Sequence, residues 1–256
     1  MSRFPQFAFV VICAAFISHN AVAQSSLTNW TGFYGGANFG YSSDSFDFSD
    51  ISESFGTNGF NGKFPDRSFH GDSSFLAGGQ IGYNQQFDMF VVGLEGDTDW
   101  ISHQAGFHED RFFFNNPFPL GSIVHANHSA ELDLISSLRA KVGMGWHRFL
   151  VYATGGLGLG DLTLRTNDLA FVLGGHPGQV VSGSDSGSAV GWTAGGGAEW
   201  AITPSISIAA EYRHLDVGGS YTPSDQQLSH AHGHLDFNDD EVSLRLNVHL
   251  NALFAR

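Results

Sequence analysis

Val242-Ser243-Leu244-Arg245-Leu246-Asn247-Val248-His249-Leu250-Asn251-Ala252 alternates an apolar residue with a polar one throughout, and Phe254 extends the apolar series. Successive side chains of an extended strand point to opposite faces, so this stretch has one apolar face and one polar face. The polar face holds Arg245, His249 and two asparagines, a poor surface to bury in a dry core. Two architectures produce the pattern. A soluble sheet turns the polar face to water, whereas a membrane barrel turns the apolar face to lipid and the polar face to its lumen.

The chain opens with Arg3, a short apolar run over 7–17, and the small residues Ala21-Val22-Ala23 ahead of Gln24. This is the arrangement of a cleaved export signal. The run is too short to span a bilayer as a helix, which takes about 20 residues. The expected division is therefore a signal peptide over 1–23 and a mature barrel domain over 24–256. Cys13, the single cysteine, falls in the signal, so the mature domain is expected to hold no disulfide and no thiol nucleophile. Loss of Arg3 makes the mature chain one unit more negative than the −14 of the full sequence, which argues against nucleic acid as a partner. Hydrophobic residues make up 42% of the chain, yet no run suits a spanning helix. Export, acidity and abundant glycine and phenylalanine point to an all-β envelope protein.

Seven further strand-like stretches precede the opening one, over about 32–42, 75–87, 90–102, 128–146, 149–165, 188–202 and 206–215. Their connections alternate between long and short. Tight turns are expected at Asp88-Met89, His147-Arg148 and Thr203-Pro204-Ser205, and long polar connections separate the resulting pairs. Four long loops and three short turns predict an eight-stranded antiparallel up-and-down transmembrane β-barrel, with the turns and both termini in the periplasm. Trp100, Trp146, Trp192, Trp200, Tyr41, Tyr83 and Tyr212 fall near the ends of apolar faces, as interfacial girdles do.

Several stretches carry a resemblance. Trp30-Thr31-Gly32-Phe33-Tyr34-Gly35-Gly36-Ala37-Asn38-Phe39-Gly40-Tyr41 resembles the opening of the outer-membrane immunogenic, or opacity-type porin-family, small β-barrels of alphaproteobacteria. Gly78-Gly79-Gln80-Ile81-Gly82-Tyr83-Asn84, the stretch 152–158, and Glu211-Tyr212-Arg213-His214-Leu215-Asp216 look like that family's second, fifth and seventh strands. The resemblance implies a bacterial outer-membrane location. It also implies outer-membrane lipid and the barrel-assembly machinery as partners, with a host or environmental ligand met by the loops. Such barrels end on an aromatic residue; here the last strand ends at Leu250 or at Phe254.

An eight-stranded barrel is just wide enough for side chains to fill it. The polar faces would then place Glu95, Asp97, Asp99, Glu131, Asp133, Glu199 and Glu211 in the lumen with Arg139, Lys141, Arg213 and Arg245. Buried charges are tolerated when paired, so a structural ion-pair network is expected, and a narrow polar pore is the alternative. His230, His232 and His234 would share one face of an extended loop segment and form a candidate metal site. Some members of the resembled family bind haemin, which makes haemin the cofactor to consider, although none is expected. Phe107, Phe112, Phe113, Phe114 and Phe118 give one loop an apolar character, read as loop packing or a contact patch.

Enzyme signatures are absent. His108-Glu109 lacks the second histidine of a zinc protease helix, since Phe112 stands there. Gly156-Leu157-Gly158 runs on to Asp161 where a dinucleotide fingerprint needs a small residue. Lipases and acyltransferases exist on barrel scaffolds and need serine and histidine close in space, so that alternative rests on geometry. The expected function is non-enzymatic, a structural or surface-interaction role. A haemin or metal binder and a narrow channel are the alternatives.

Overall fold

The computed structural model describes residues 28–55, 60–63, 66–70, 73–113, 122–172, 176–221 and 230–250. Residues 1–27, where an export signal is expected, the loop tips, Phe114, Phe118 and the tail after Leu250 lie outside them, as do the side chains of Phe107, Phe112 and Phe113. Ten strands are present among the described residues: β1 (Gly32–Phe55), β2 (Phe60–Lys63), β3 (Arg67–His70), β4 (Ser74–Phe87), β5 (Phe90–Phe113), β6 (Ser122–Trp146), β7 (Phe149–Val172), β8 (His176–Ala201), β9 (Ile206–Tyr221) and β10 (His230–His249). Eight of them pair antiparallel in the order β10-β9-β8-β7-β6-β5-β4-β1, and β1 pairs back onto β10 to close the barrel. The short β2 and β3 add to the far end of β1.

The turns at one end are tight. Asp88 and His147 take left-handed backbone angles (φ 52° and 53°) as the first residues of two-residue turns. In the third turn the Thr203 hydroxyl accepts hydrogen bonds from the Ser205 and Ile206 amides, at 3.2 and 3.0 Å. Strands run well beyond their expected ends at the opposite, loop end: β1 continues to Phe55, β5 to Phe113 and β9 to Tyr221, while β10 begins at His230.

The reason is a reversal of amphipathicity along each strand. In β9 the inward residues from the turn end are Ser207, Ala209, Glu211, Arg213, Leu215 and Val217, and the outward ones are Ile206, Ile208, Ala210, Tyr212, His214 and Asp216. In β10 the inward series Asn247, Arg245, Glu241, Asp239 gives way to Phe237 and Leu235. Its outward series Leu246, Leu244, Val242 gives way to Asp240, Asn238 and Asp236. β1 changes at the same level, from Asn38, Ser42 and Asp44 inside to Phe46 and Phe48. The turn-side half is therefore apolar outside and polar inside, as lipid demands. The loop-side half is polar outside and apolar inside, as water demands.

Aromatic rings mark both edges of the apolar belt. Phe33, Tyr83, Phe87, Phe90, Trp146, Phe149 and Trp200 ring the turn end, and Tyr41, Phe75, Trp100, Trp192 and Tyr212 ring the loop side, all with exposed side chains. Roughly ten residues of tilted strand separate the rings, which gives a belt about 25 Å tall. Two loop-side rings direct polar tips away from the belt: Trp192 Nε1 donates to Asp216 at 3.1 Å and Tyr212 Oη to Asp240 at 2.6 Å.

The lumen is filled. Trp30, just ahead of β1, plugs the turn end with Val91, Leu150, Tyr152 and Ala201. A Cβ on Gly145 would lie 3.0 Å from the Trp30 ring, so glycine there makes room for the indole. Phe46, Phe48, Leu76, Ile101, Leu132, Ile135, Ala189, Leu215, Val217, Leu235 and Phe237 fill the loop-side half. A Cβ on Gly158 would come within 2.3 Å of Leu215 Cδ1, so glycine there leaves room for that side chain.

The reversal predicts opposite outcomes for one substitution made twice on one face of β10. Leu244→Arg, in the belt, should cost about 2–4 kcal/mol in reversible urea unfolding from lipid vesicles. Asn238→Arg, above the belt, should stay within about 0.5 kcal/mol of wild type.

Candidate functional site: a charged layer in the lumen

Between the two apolar plugs lies a layer of charged side chains contributed by alternate residues of the barrel strands. Glu95 of β5 is at its centre. One carboxylate oxygen accepts from Arg139 at 2.7 Å and Arg245 at 2.8 Å. The other accepts from Lys141 at 2.9 Å and Tyr34 at 2.6 Å. Glu211 of β9 sits opposite and takes Arg139 at 2.6 Å, Arg245 at 2.5 Å and the Tyr152 hydroxyl at 2.7 Å. Arg139 and Arg245 thus each bridge the same two carboxylates across the lumen. Lys141 also lies over the rings of Tyr34 and Tyr152, at 4.8 and 4.5 Å from their centroids.

The layer continues toward the loop end. Asp97 accepts from Arg139 and from Ser137, at 2.7 and 2.8 Å. Arg213 binds Asp97, Asp99 and Glu241 together, and Asn38 donates to Asp99 at 2.8 Å. These charged side chains are at most 5% exposed. Removing one partner of such a buried pair leaves an uncompensated charge, which is far costlier than losing a surface pair.

Glu199 anchors the turn side of the layer. It accepts from the Ser207 hydroxyl and from Asn247, the latter at 2.9 Å. His249 Nε2 lies 2.9 Å from Ser207 Oγ. Serine, histidine and a carboxylate therefore meet, but without the connectivity of a proton relay. A relay needs histidine between serine and acid, with the carboxylate on the far ring nitrogen. Here Ser207 gives its proton directly to Glu199, and Nε2, the nitrogen beside Ser207, is also 3.5 Å from Glu199. Ser207 is wholly buried as well. A fluorophosphonate probe that labels activated serines should therefore leave Ser207 unmodified in the folded protein, as read by peptide mass spectrometry.

Glu95, Asp97, Asp99, Arg139, Lys141, Glu199, Glu211, Arg213 and Arg245 thus lie together in the lumen. Glu131 and Asp133 do not, a correction to the sequence reading. The β6–β7 register shifts between Leu132 and Leu134, so the facing of β6 flips at Asp133. Ile135 points inward below the bulge and Leu132 above it. Asp133 is left exposed, and Glu131 pairs on the outside with Arg165 of β7 at 2.9 Å. Conversely Asp44, Asp239 and Glu241 line the lumen outside the stretches that the sequence reading assigns to strands. Their signal was the alternation Asp44-x-Phe46-x-Phe48 and Leu235-x-Phe237-x-Asp239-x-Glu241.

His230, His232 and His234 fall on the loop-end start of β10. The side chain of His230 is outside the described residues. His232 is exposed, and the His234 ring lies 3.2 Å from both Ser220 Oγ and Asp236 Oδ1. No group of three metal-ligating side chains occurs among the described residues.

Arg213→Met should destabilise the barrel by about 3–5 kcal/mol in urea unfolding, because three carboxylates lose their shared cation. Glu131→Gln should cost less than about 1 kcal/mol, the scale of an exposed pair.

Comparison with known proteins agrees with this geometry. Residues 9–249 match the family model described as outer membrane protein beta-barrel domain. The chain is 30% identical over 210 residues to the 31 kDa outer-membrane immunogenic protein of Brucella melitensis, covering 74% of this chain and 72% of that one. It is 25% identical over 175 residues to the 22 kDa outer membrane protein of Rhizobium leguminosarum, covering 67% and 65%. Among solved structures, the outer membrane protein OprG from Pseudomonas aeruginosa aligns with 88% of this chain and all of its own, at a TM-score of 0.44 and 10% identity. The apolar belt, the closed strand order and the matched family model lead to one conclusion: the chain belongs to the outer membrane protein beta-barrel domain family and resides in the bacterial outer membrane.

Proposed function

We propose that this outer-membrane barrel is non-enzymatic and closed to solutes, a stable stem that holds a water-facing ectodomain at the cell surface. The observation that carries this reading is the filled lumen. A charged layer at most 5% exposed is sealed below by the Trp30 cluster and above by the Phe46–Phe237 cluster. A solute pore would need hydrated walls, whereas these charges spend their hydrogen bonds on one another.

Two further features support a surface role. The barrel strands continue past the belt with polar outward faces, so the loop end stands in water. Connections presented at the end of a rigid scaffold are where recognition residues concentrate. With short turns on the periplasmic side, the loop end faces the cell exterior.

Purified protein reconstituted into planar lipid bilayers should give no stepwise conductance at neutral pH. Discrete, reproducible channel openings from the heat-modifiable, folded form would overturn the reading in favour of a narrow channel.

A further inference from the structure

The outer wall of the barrel is not evenly filled. A groove of about 510 Å³ crosses β7, β8, β9, β10 and β1, a volume within the range of sites that hold small ligands. Its floor is made by the methyl groups of Ala198 and Ala210, cross-strand partners on β8 and β9. Phe149 and Trp200 wall one side, stacked at 6.3 Å and 13°. Phe39 and Leu244 wall the other, 63% and 52% exposed. Glu199 and Arg245 also border the groove, but they hold their charged groups in the lumen. The site offers hydrocarbon contact and no side-chain partner for a polar ligand.

We propose that this groove binds one acyl chain of a phospholipid, with the phosphate held at Arg148. The groove is cut into the apolar belt, so it is continuous with the surface that the family assignment places in the membrane. Lipid tails are as apolar as leucine, and no hydrophobic gain selects one position on a barrel wall over another. Shape does. Small floor residues between rigid rings let a chain lie against the strands with contacts on three sides, each small and collectively substantial. The groove crosses four interstrand steps of about 4.8 Å, roughly 19 Å, room for a long chain.

Charge supplies the polarity of the lipid. The groove opens at the turn end beside Phe149 and Trp200, and the adjoining turn is His147-Arg148. Of the three turns, this is the one that carries a permanent cation; the others hold Asp88-Met89 and Ile202-Thr203-Pro204-Ser205. Arg148 is exposed, and its carbonyl accepts from the Ala201 amide at 2.8 Å, which fixes the turn against the base of β8. A guanidinium at interfacial height beside an apolar groove matches a phosphate joined to a hydrocarbon tail. The occupant therefore comes from the leaflet on the turn side.

The test uses full-length protein purified from outer membranes in mild detergent and examined by native mass spectrometry. Wild type should retain one phospholipid per barrel through detergent exchange. Ala198→Leu combined with Ala210→Leu fills the floor and should lower that retention at least tenfold. Arg148→Gln should lower it several-fold while leaving the groove intact. Faster gel migration before boiling establishes that each variant is folded. A diazirine-tailed phosphatidylethanolamine in reconstituted vesicles should crosslink to the peptides holding Phe149 and Trp200 in wild type and not in the filled variant. Equal retention by wild type and the filled variant overturns the groove assignment. Equal retention by Arg148→Gln overturns the headgroup assignment. A wild-type dimer that the filled variant converts to monomer shows that the occupant is a second copy, and overturns the lipid.

Discussion

Arg139 and Arg245 reach across the lumen to the same two carboxylates, Glu95 and Glu211, and the rest of the barrel closes around these four charges. A guanidinium presents its donors in a fixed fork, which lets one side chain satisfy two acids on opposite strands. Tyr34, Tyr152 and Lys141 take up remaining sites on those acids. Buried charge of this kind is a weak source of net stability, because desolvation offsets much of the Coulombic attraction. Its stronger consequence is register. A strand slipped by one residue would turn Glu95 or Arg139 into lipid and leave its partners unpaired, so the layer discriminates against wrong pairings by several kcal/mol per exposed charge.

Two apolar plugs isolate that layer, and they differ in origin. The turn-side plug depends on a residue outside the sheet, Trp30, whose backbone N–H donates a hydrogen bond to Gln86 Oε1 at 2.9 Å. The loop-side plug is built from the strands themselves, including the Phe46–Phe237 contact at 4.9 Å across the β1–β10 seam. Above the belt the barrel is thus organised like a water-soluble one, with its hydrophobic core inside. The chain joins two solvent regimes in one continuous sheet, and in β9 and β10 the same side-chain parity runs through both of them.

Much of this was legible in the sequence. Strict alternation in 242–252 gave a strand with two chemically distinct faces, and the long–short rhythm of connections gave antiparallel neighbours and an even count. Tight turns at 88–89 and 147–148 stand where the residues indicated, as do the interfacial tryptophans and tyrosines. Nine of the eleven charges assigned to the lumen lie there, because within the belt the charged positions on a strand are inward ones. The reading stopped at the belt edge for a physical reason. Where the outer solvent changes from lipid to water, the polar residues move to the outward parity, and a stretch such as Asp236 to Asp240 looks like loop although it is strand.

The sequence by itself therefore determined the eight barrel strands, their antiparallel pairing and the two chemically distinct faces of most of them, since these follow from local periodicity and connection length. Tertiary structure alone decided which charges meet, because Glu95 and Arg245 lie 150 positions apart and are joined by barrel closure. It also decided that Glu131 and Asp133 leave the lumen, since a one-residue bulge in β6 is a property of pairing with β7 that no local pattern carries. The Ala198–Ala210 groove belongs to the same class. Small residues on separate strands form a floor only when the register sets them side by side.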